Sequence, residues 1–190
     1  MNPYNQWQQQ GSGTPSIFGA LPSPTSSSAS TPHDAATFTL TNFKTTVLNS
    51  TVYDPSRREA YRIVTEASSP ACTVVQNSQG RNIAMIKWQP HAVVEVRGIA
   101  AEQRVRDWLK LASDQNRRIM DIRGVQYAWA PMDGFICMYK VSSSAPRVLA
   151  RVARMPNSVV LDVTQDAIQQ GLLESALIAT VLMTSGHSID

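Results

Sequence analysis

Ala167-Ile-Gln-Gln-Gly-Leu-Leu-Glu-Ser-Ala-Leu-Ile-Ala-Thr-Val-Leu-Met183 is the stretch on which the fold turns. It reads as a helix, spanning about 165–184. Thr164 is a suitable N-cap, and Asp166 puts negative charge where a helix N-terminus favours it. The segment is amphipathic at first. It then becomes apolar all round, through Leu172, Leu173, Ala176, Leu177, Ile178, Ala179, Val181, Leu182 and Met183, with no charge between Glu174 and Asp190. The run Ala176–Met183 is too short to cross a bilayer, which needs about twenty apolar residues. A helix that is apolar on every side outside a membrane must be buried on every side.

The chain before it supplies the cover. From Thr37 onward, short runs of period two are separated by turn residues at roughly 8–12-residue spacing, the pattern of an all-β sandwich or barrel. Strands are expected at Phe38–Asn42, Thr51–Tyr53, Ala60–Thr65, Cys72–Gln76, Asn82–Trp88 and His91–Arg97. They continue at Arg118–Ile122, Val125–Trp129, Phe135–Val141, Arg147–Ala153 and Val159–Val163. The turns carry Asp54-Pro-Ser-Arg57, Asn77-Ser-Gln-Gly80, Arg123-Gly124 and Pro131-Met-Asp-Gly134, with Gly free to take positive φ. Residues 101–113 read two ways. Val105, Trp108, Leu109 and Ala112 have helical spacing, while Val105-Arg-Asp-Trp-Leu109 also fits a short strand. The expected fold is mainly β: a closed antiparallel barrel of about twelve strands around the buried C-terminal helix.

The domain organisation is an arm and one domain. Residues 1–36 are mostly Gln, Ser, Pro, Thr and Gly and are expected to be disordered, since they cannot bury enough apolar area to offset their ordering entropy. Tyr4, Trp7, Ile17, Phe18 and Leu21 are the arm's apolar residues, either docking stickers for a partner or without a role. Residues 37–190 form the domain. Of the 190 residues, 43% are hydrophobic and only 16% charged, which excludes collagen-like, coiled-coil and disulfide-scaffold classes. All seventeen Lys and Arg lie after residue 36, and Arg supplies thirteen of them. The domain is mildly basic and lacks the dense stripe of a nucleic-acid binder, so no nucleic-acid partner is expected. An Arg bias suits phosphate and carboxylate ligands, and suits genome composition equally.

Cys72 and Cys137 lack metal-ligand spacing and sit in apolar strand-like runs, so buried free thiols are expected, with a disulfide left open. No basic segment followed by an apolar one opens the chain, so no signal peptide, and an intracellular location, cytoplasmic or peripheral at a membrane, is expected.

Taken together, Gly80-Arg-Asn-Ile-Ala-Met-Ile-Lys-Trp88, Asp107-Trp-Leu109, Gly124-Val-Gln-Tyr-Ala-Trp129 and the Leu172–Met183 helix resemble the tubby C-terminal-like barrel superfamily. This group includes tubby domains, phospholipid scramblases and plant LURP-one-related proteins. Within it, residues 37–185 resemble an uncharacterised family of small mushroom proteins of unknown function. The resemblance implies a strand at 105–109, and it implies phosphoinositide binding by fold analogy alone. The cations that bind lipid in tubby domains have no matching motif here, and neither the acidic calcium segment nor the longer apolar helix of scramblases is present.

No catalytic constellation is recognisable: His33, His91 and His187 stand outside any Ser, Cys or Asp motif. No metal site, cofactor or membrane-spanning segment is expected either. Trp88, Trp108, Trp129 and Tyr127 read as core, with a stacking groove as the alternative. The directional hint comes from Arg57 and Arg58 in a turn, Arg117 and Arg118 at a strand start, and Arg147, Arg151 and Arg154 on or beside one strand. Brought together, two of these groups would make a cationic surface for lipid phosphate. Left apart, they are a solvated face partly paired with Asp and Glu. The expected function is therefore a non-enzymatic intracellular module for anionic phospholipid headgroups. The alternative is a protein-interaction module using the arm or the barrel surface.

Overall fold

A computed structural model describes residues 34–41, 43, 46–66, 71–132, 134–142 and 147–190. The expected arm lies outside these residues except for its last three. Thirteen strands form one sheet: β1 (Ala35–Thr41), β2 (Ser50–Tyr53), β3 (Glu59–Glu66), β4 (Cys72–Asn77), β5 (Asn82–Lys87), β6 (Val93–Val96), β7 (Ala100–Arg104), β8 (Leu109–Leu111), β9 (Arg118–Ile122), β10 (Val125–Met132), β11 (Phe135–Lys140), β12 (Val148–Met155) and β13 (Ser158–Thr164). Among the described residues they are accompanied by a 3-10 turn at Val47–Asn49 and three short α-helices: α1 (Val105–Trp108), α2 (Gln165–Gln169) and α3 (Leu173–Thr184).

Every pairing is antiparallel, and the order runs β7-β6-β5-β4-β3-β2-β1-β13-β12-β11-β10-β9-β8. All neighbours are consecutive hairpin partners except β1 and β13, which pair from Ala35↔Thr164 to Leu40↔Val159 and join the two halves of the chain. Hairpins account for the rest, because their registers are set by local turns.

Period two decides the faces. In β3, Tyr61 and Ile63 are buried while Arg62 and Val64 are exposed. Ile63, Val75, Ala84 and Val96 continue one inward row across β3, β4, β5 and β6. These rows share one core with α3, whose residues Ser175–Met183 are all buried. The helix has no polar face to offer water, so inward side chains of the sheet must meet it on every side. Each large aliphatic side chain buried there contributes about 1.5–3 kcal/mol.

Four expectations need correction. The sheet is not closed into a barrel: no ladder joins β7 to β8, the two edges. Those edges are the two ends of one continuous segment, residues 100–111, broken by α1. The expected strand at 105–109 is that helical turn, closed by the Leu109 amide donating to the Val105 carbonyl. Residues turned into a helix have their backbone groups aimed along its axis and cannot continue a ladder. The expected single helix is two. Gly171, at φ 72°, ends α2, with its amide donating to the Ile168 carbonyl and the Leu172 amide to the Ala167 carbonyl. That is a Schellman stop, and Gly takes the left-handed position without steric cost. Finally, β1 starts at Ala35, inside the expected arm, because it needs Ala35 and Ala36 to pair with Thr164 and Val163.

Thr164 does cap α2, accepting from the Ala167 amide at 3.3 Å. Cys72 is half-buried, and Cys137 is buried with its thiol donating to the Met132 carbonyl at 3.9 Å. Their strands, β4 and β11, lie on opposite sides of the β1–β13 junction. Burial and the nearby Glu66 carboxylate push the Cys72 thiol pKa up, which makes it a poor nucleophile.

Candidate functional site

Antiparallel pairing gives the sheet two ends with different chemistry. At one end lie the turns β2–β3, β4–β5, β6–β7, β9–β10 and β11–β12. Each carries exposed arginine: Arg57 and Arg58, Arg81, Arg97, Arg123, and Arg147, with Lys140 beside the last. Neighbouring hairpins are two strands apart, about 10 Å, except that β1 and β13 stand between the β2–β3 and β11–β12 turns and make that gap about 19 Å. Acids stand among them, and Glu59 at the start of β3 is bound to Arg62 at 2.9 Å. Asp54 accepts from the Arg58 amide at 2.9 Å and from Arg58 Nε at 3.3 Å. The amide bond, with the guanidinium behind it, holds its carboxyl below the usual range. Asp121 accepts from the Gly124 amide, and Asp166 lies 3.6 Å from Arg147. Asp34 is exposed and Glu174 half-buried.

Two rim arginines stand where the backbone disfavours them. Arg123 and Gly124 are the central residues of a two-residue hairpin, at φ 54° and 78°. A type I′ turn of this kind wants Asn, Asp or Gly first. Arg57 sits at φ 59°. A left-handed non-glycine residue costs roughly 1–2 kcal/mol. Val141, 37% exposed, adds an apolar side chain beside Lys140.

Of the arginines singled out in the sequence, Arg57, Arg58 and Arg147 come to this rim. Arg117 and Arg154 lie at the opposite end, Arg117 3.9 Å from Asp114. Two others are taken up inside the fold. Arg151 Nε donates to Asp162 Oδ2 at 2.8 Å, and its guanidinium lies 4.4 Å from the Phe135 ring centroid. Arg118, with no exposed surface, donates to both carboxylate oxygens of Asp190, at 2.9 and 2.6 Å, and to the Leu109 carbonyl. Three rim arginines escaped the sequence reading: Arg81, Arg97 and Arg123. Their signal was visible, since each is adjacent to a hairpin glycine, in Gly80-Arg81, Arg97-Gly98 and Arg123-Gly124.

Trp88, Trp108, Trp129 and Tyr127 are buried, as the core reading expects. Trp88 donates to the Thr73 hydroxyl and stacks on His187 at 4.4 Å. Among the described residues no group of His, Cys, Asp and Glu is placed to hold a metal ion, and no helix is long and apolar enough to cross a membrane.

No curated protein matches the chain, and no solved structure does. One family model matches residues 45–184, which run from just after β1 to the end of α3 and so take in nearly the whole sheet and its buried helix. The chain belongs to the family of unknown function DUF6593.

Proposed function

We propose that this protein is a non-enzymatic module that docks, through its arginine rim, on anionic phospholipid surfaces carrying phosphoinositide headgroups. The observation that carries the reading is that every hairpin turn at one end of the sheet presents an exposed arginine. A row of cations about 10–20 Å apart engages several headgroups of a planar surface at once. Two of those arginines are kept at left-handed φ. A locally unfavourable residue held in place is what a functional demand on its side chain produces. Val141 suits entry between headgroups. The resemblance to the tubby C-terminal-like superfamily, whose tubby members bind phosphoinositides, points the same way by analogy.

The test is vesicle co-flotation of the full chain with neutral and with phosphoinositide-containing liposomes, at low and near-physiological salt. Binding should require the anionic lipid and persist at near-physiological salt. At about 1 kcal/mol per cation near the surface, the triple variant Arg81→Gln, Arg97→Gln, Arg123→Gln should lose roughly two orders of magnitude in affinity. Arg154→Gln, at the other end, should bind normally. Equal binding to neutral vesicles, or an unaffected triple variant, rules the reading out.

A further inference from the structure

The end opposite the rim holds a different site. There the end of β7, α1, the loop between β5 and β6 and the segment that follows α3 surround a pocket lined by His91, Ala92, Arg104, Arg106, Ile189 and Asp190. Its free volume is about 10 Å³, room for no more than a single water. Asp190 forms one wall and at the same time holds Arg118, whose guanidinium is fully buried. The side chains of this pair differ in exposure, 0% for Arg118 and 40% for Asp190. The cation is thus fixed in the fold while its carboxylate sits at the surface, on the segment that follows α3. Arg104, Arg106 and His91 are exposed around it, and Asp190 is the one acid in the lining. The other acids of this segment face elsewhere: Glu102 is bound to Lys87 at 2.6 Å, and Asp107 is outside the pocket.

We propose that the buried Arg118 guanidinium is an oxyanion seat beside this pocket, with Arg104, Arg106 and His91 around the opening, and that its resident occupant is the Asp190 carboxylate. The geometry is that of ligand recognition. Two guanidinium nitrogens meet two carboxylate oxygens in a fork that a carboxylate or a phosphate fits equally. A buried guanidinium strongly favours an anion against it, so the vacated position draws in another. Arg104 and Arg106 add two exposed cations at its opening. External carboxylate or phosphate therefore competes with Asp190 for the same seat. Arg118 and the rim residue Arg123 flank opposite ends of β9, about 16 Å apart along the strand, so this site is separate from the lipid-binding rim.

The test uses Asp190→Asn in the full chain, titrated with sodium formate, inorganic phosphate or sodium chloride at matched ionic strength. The substitution should lower the melting temperature by roughly 5 °C. Formate or phosphate should restore most of that shift in a saturable way, and chloride should not. Which of the two saturates at lower concentration assigns the ligand as carboxylate or phosphate. Adding Arg104→Gln and Arg106→Gln should weaken the rescue about tenfold, as expected for the loss of two nearby cations. Should Asp190→Asn not fold, the Asp190 amide resonance of the unaltered chain gives the same answer: it should shift saturably with formate or phosphate and not with chloride. Equal responses to chloride and the oxyanions, or a response indifferent to Arg104 and Arg106, overturns the proposal.

Discussion

Arg151 and Asp162 face each other across β12 and β13, Nε to Oδ2 at 2.8 Å, with 8% of each side chain exposed. Thr37 on β1 donates to the other Asp162 oxygen at 2.6 Å. The pair therefore ties three strands across the junction where the two halves of the sheet meet. Removing one partner leaves a buried charge without its counter-ion. Asp162→Asn is expected to cost roughly 3 kcal/mol in chemical denaturation, whereas Arg151→Met with Asp162→Leu should come close to neutral. A double variant as unstable as the single one would show that the pair is worth more than its desolvation.

Arg123 tests the exchange between stability and binding at the rim. Asn is the preferred residue at its position in a type I′ hairpin. Arg123→Asn is expected to raise stability by about 0.5–1 kcal/mol and to weaken vesicle binding. Thermal melts and flotation on the same sample read both. A destabilised Arg123→Asn would mean that the arginine serves the fold rather than the surface.

Tyr61 gives the pH dependence its alkaline limit. Burial, with the Glu174 carboxylate nearby, pushes its hydroxyl up to about 12. The unfolded chain ionises its tyrosines near 10, so the stability tied to Tyr61 is intact below about pH 10 and is lost as pH rises from there through 12. In an ultraviolet titration Tyr61 should ionise last, together with alkaline unfolding, and Tyr61→Phe should move that unfolding to higher pH. Burial also raises Tyr127, with a contribution from Asp166, so this second tyrosine should titrate late as well.

Leu177 sits in the middle of the helix core, 1% exposed. Leu177→Asp places an unpaired charge there and is expected to abolish the folded state, read as loss of the β circular-dichroism signal. Leu177→Ala should cost about 2–5 kcal/mol and leave the fold in place. A soluble, folded Leu177→Asp protein would contradict the burial of α3.

The strands were legible because their signal is local. The strands expected at Cys72–Gln76, Arg118–Ile122 and Val159–Val163 are found within β4, β9 and β13. The two edge strands were not legible: in β7, Ala100-Ala-Glu-Gln-Arg104 has no apolar alternation and buries little, and β8 is only Leu109–Leu111. The break at Gly171 had a visible stop signal, Gln-Gln-Gly, overshadowed by the long apolar run behind it. The arginine reading went partly astray for a reason of proximity. Nothing in Arg147-Val-Leu-Ala-Arg151 says that Asp162 will face Arg151, since the register of β12 on β13 decides that.

By itself, then, the sequence determined that the protein is a β domain and that its last helix is buried. Alternation and an all-round apolar helix are properties of neighbouring residues and of their free energy in water. Only the tertiary structure decided that the sheet stays open at α1. It alone settled which arginines meet solvent and which meet Asp162 or Asp190, and that turns far apart in sequence share one end. Those outcomes depend on strand order and register, which bring together residues that carry no mark of one another in the chain.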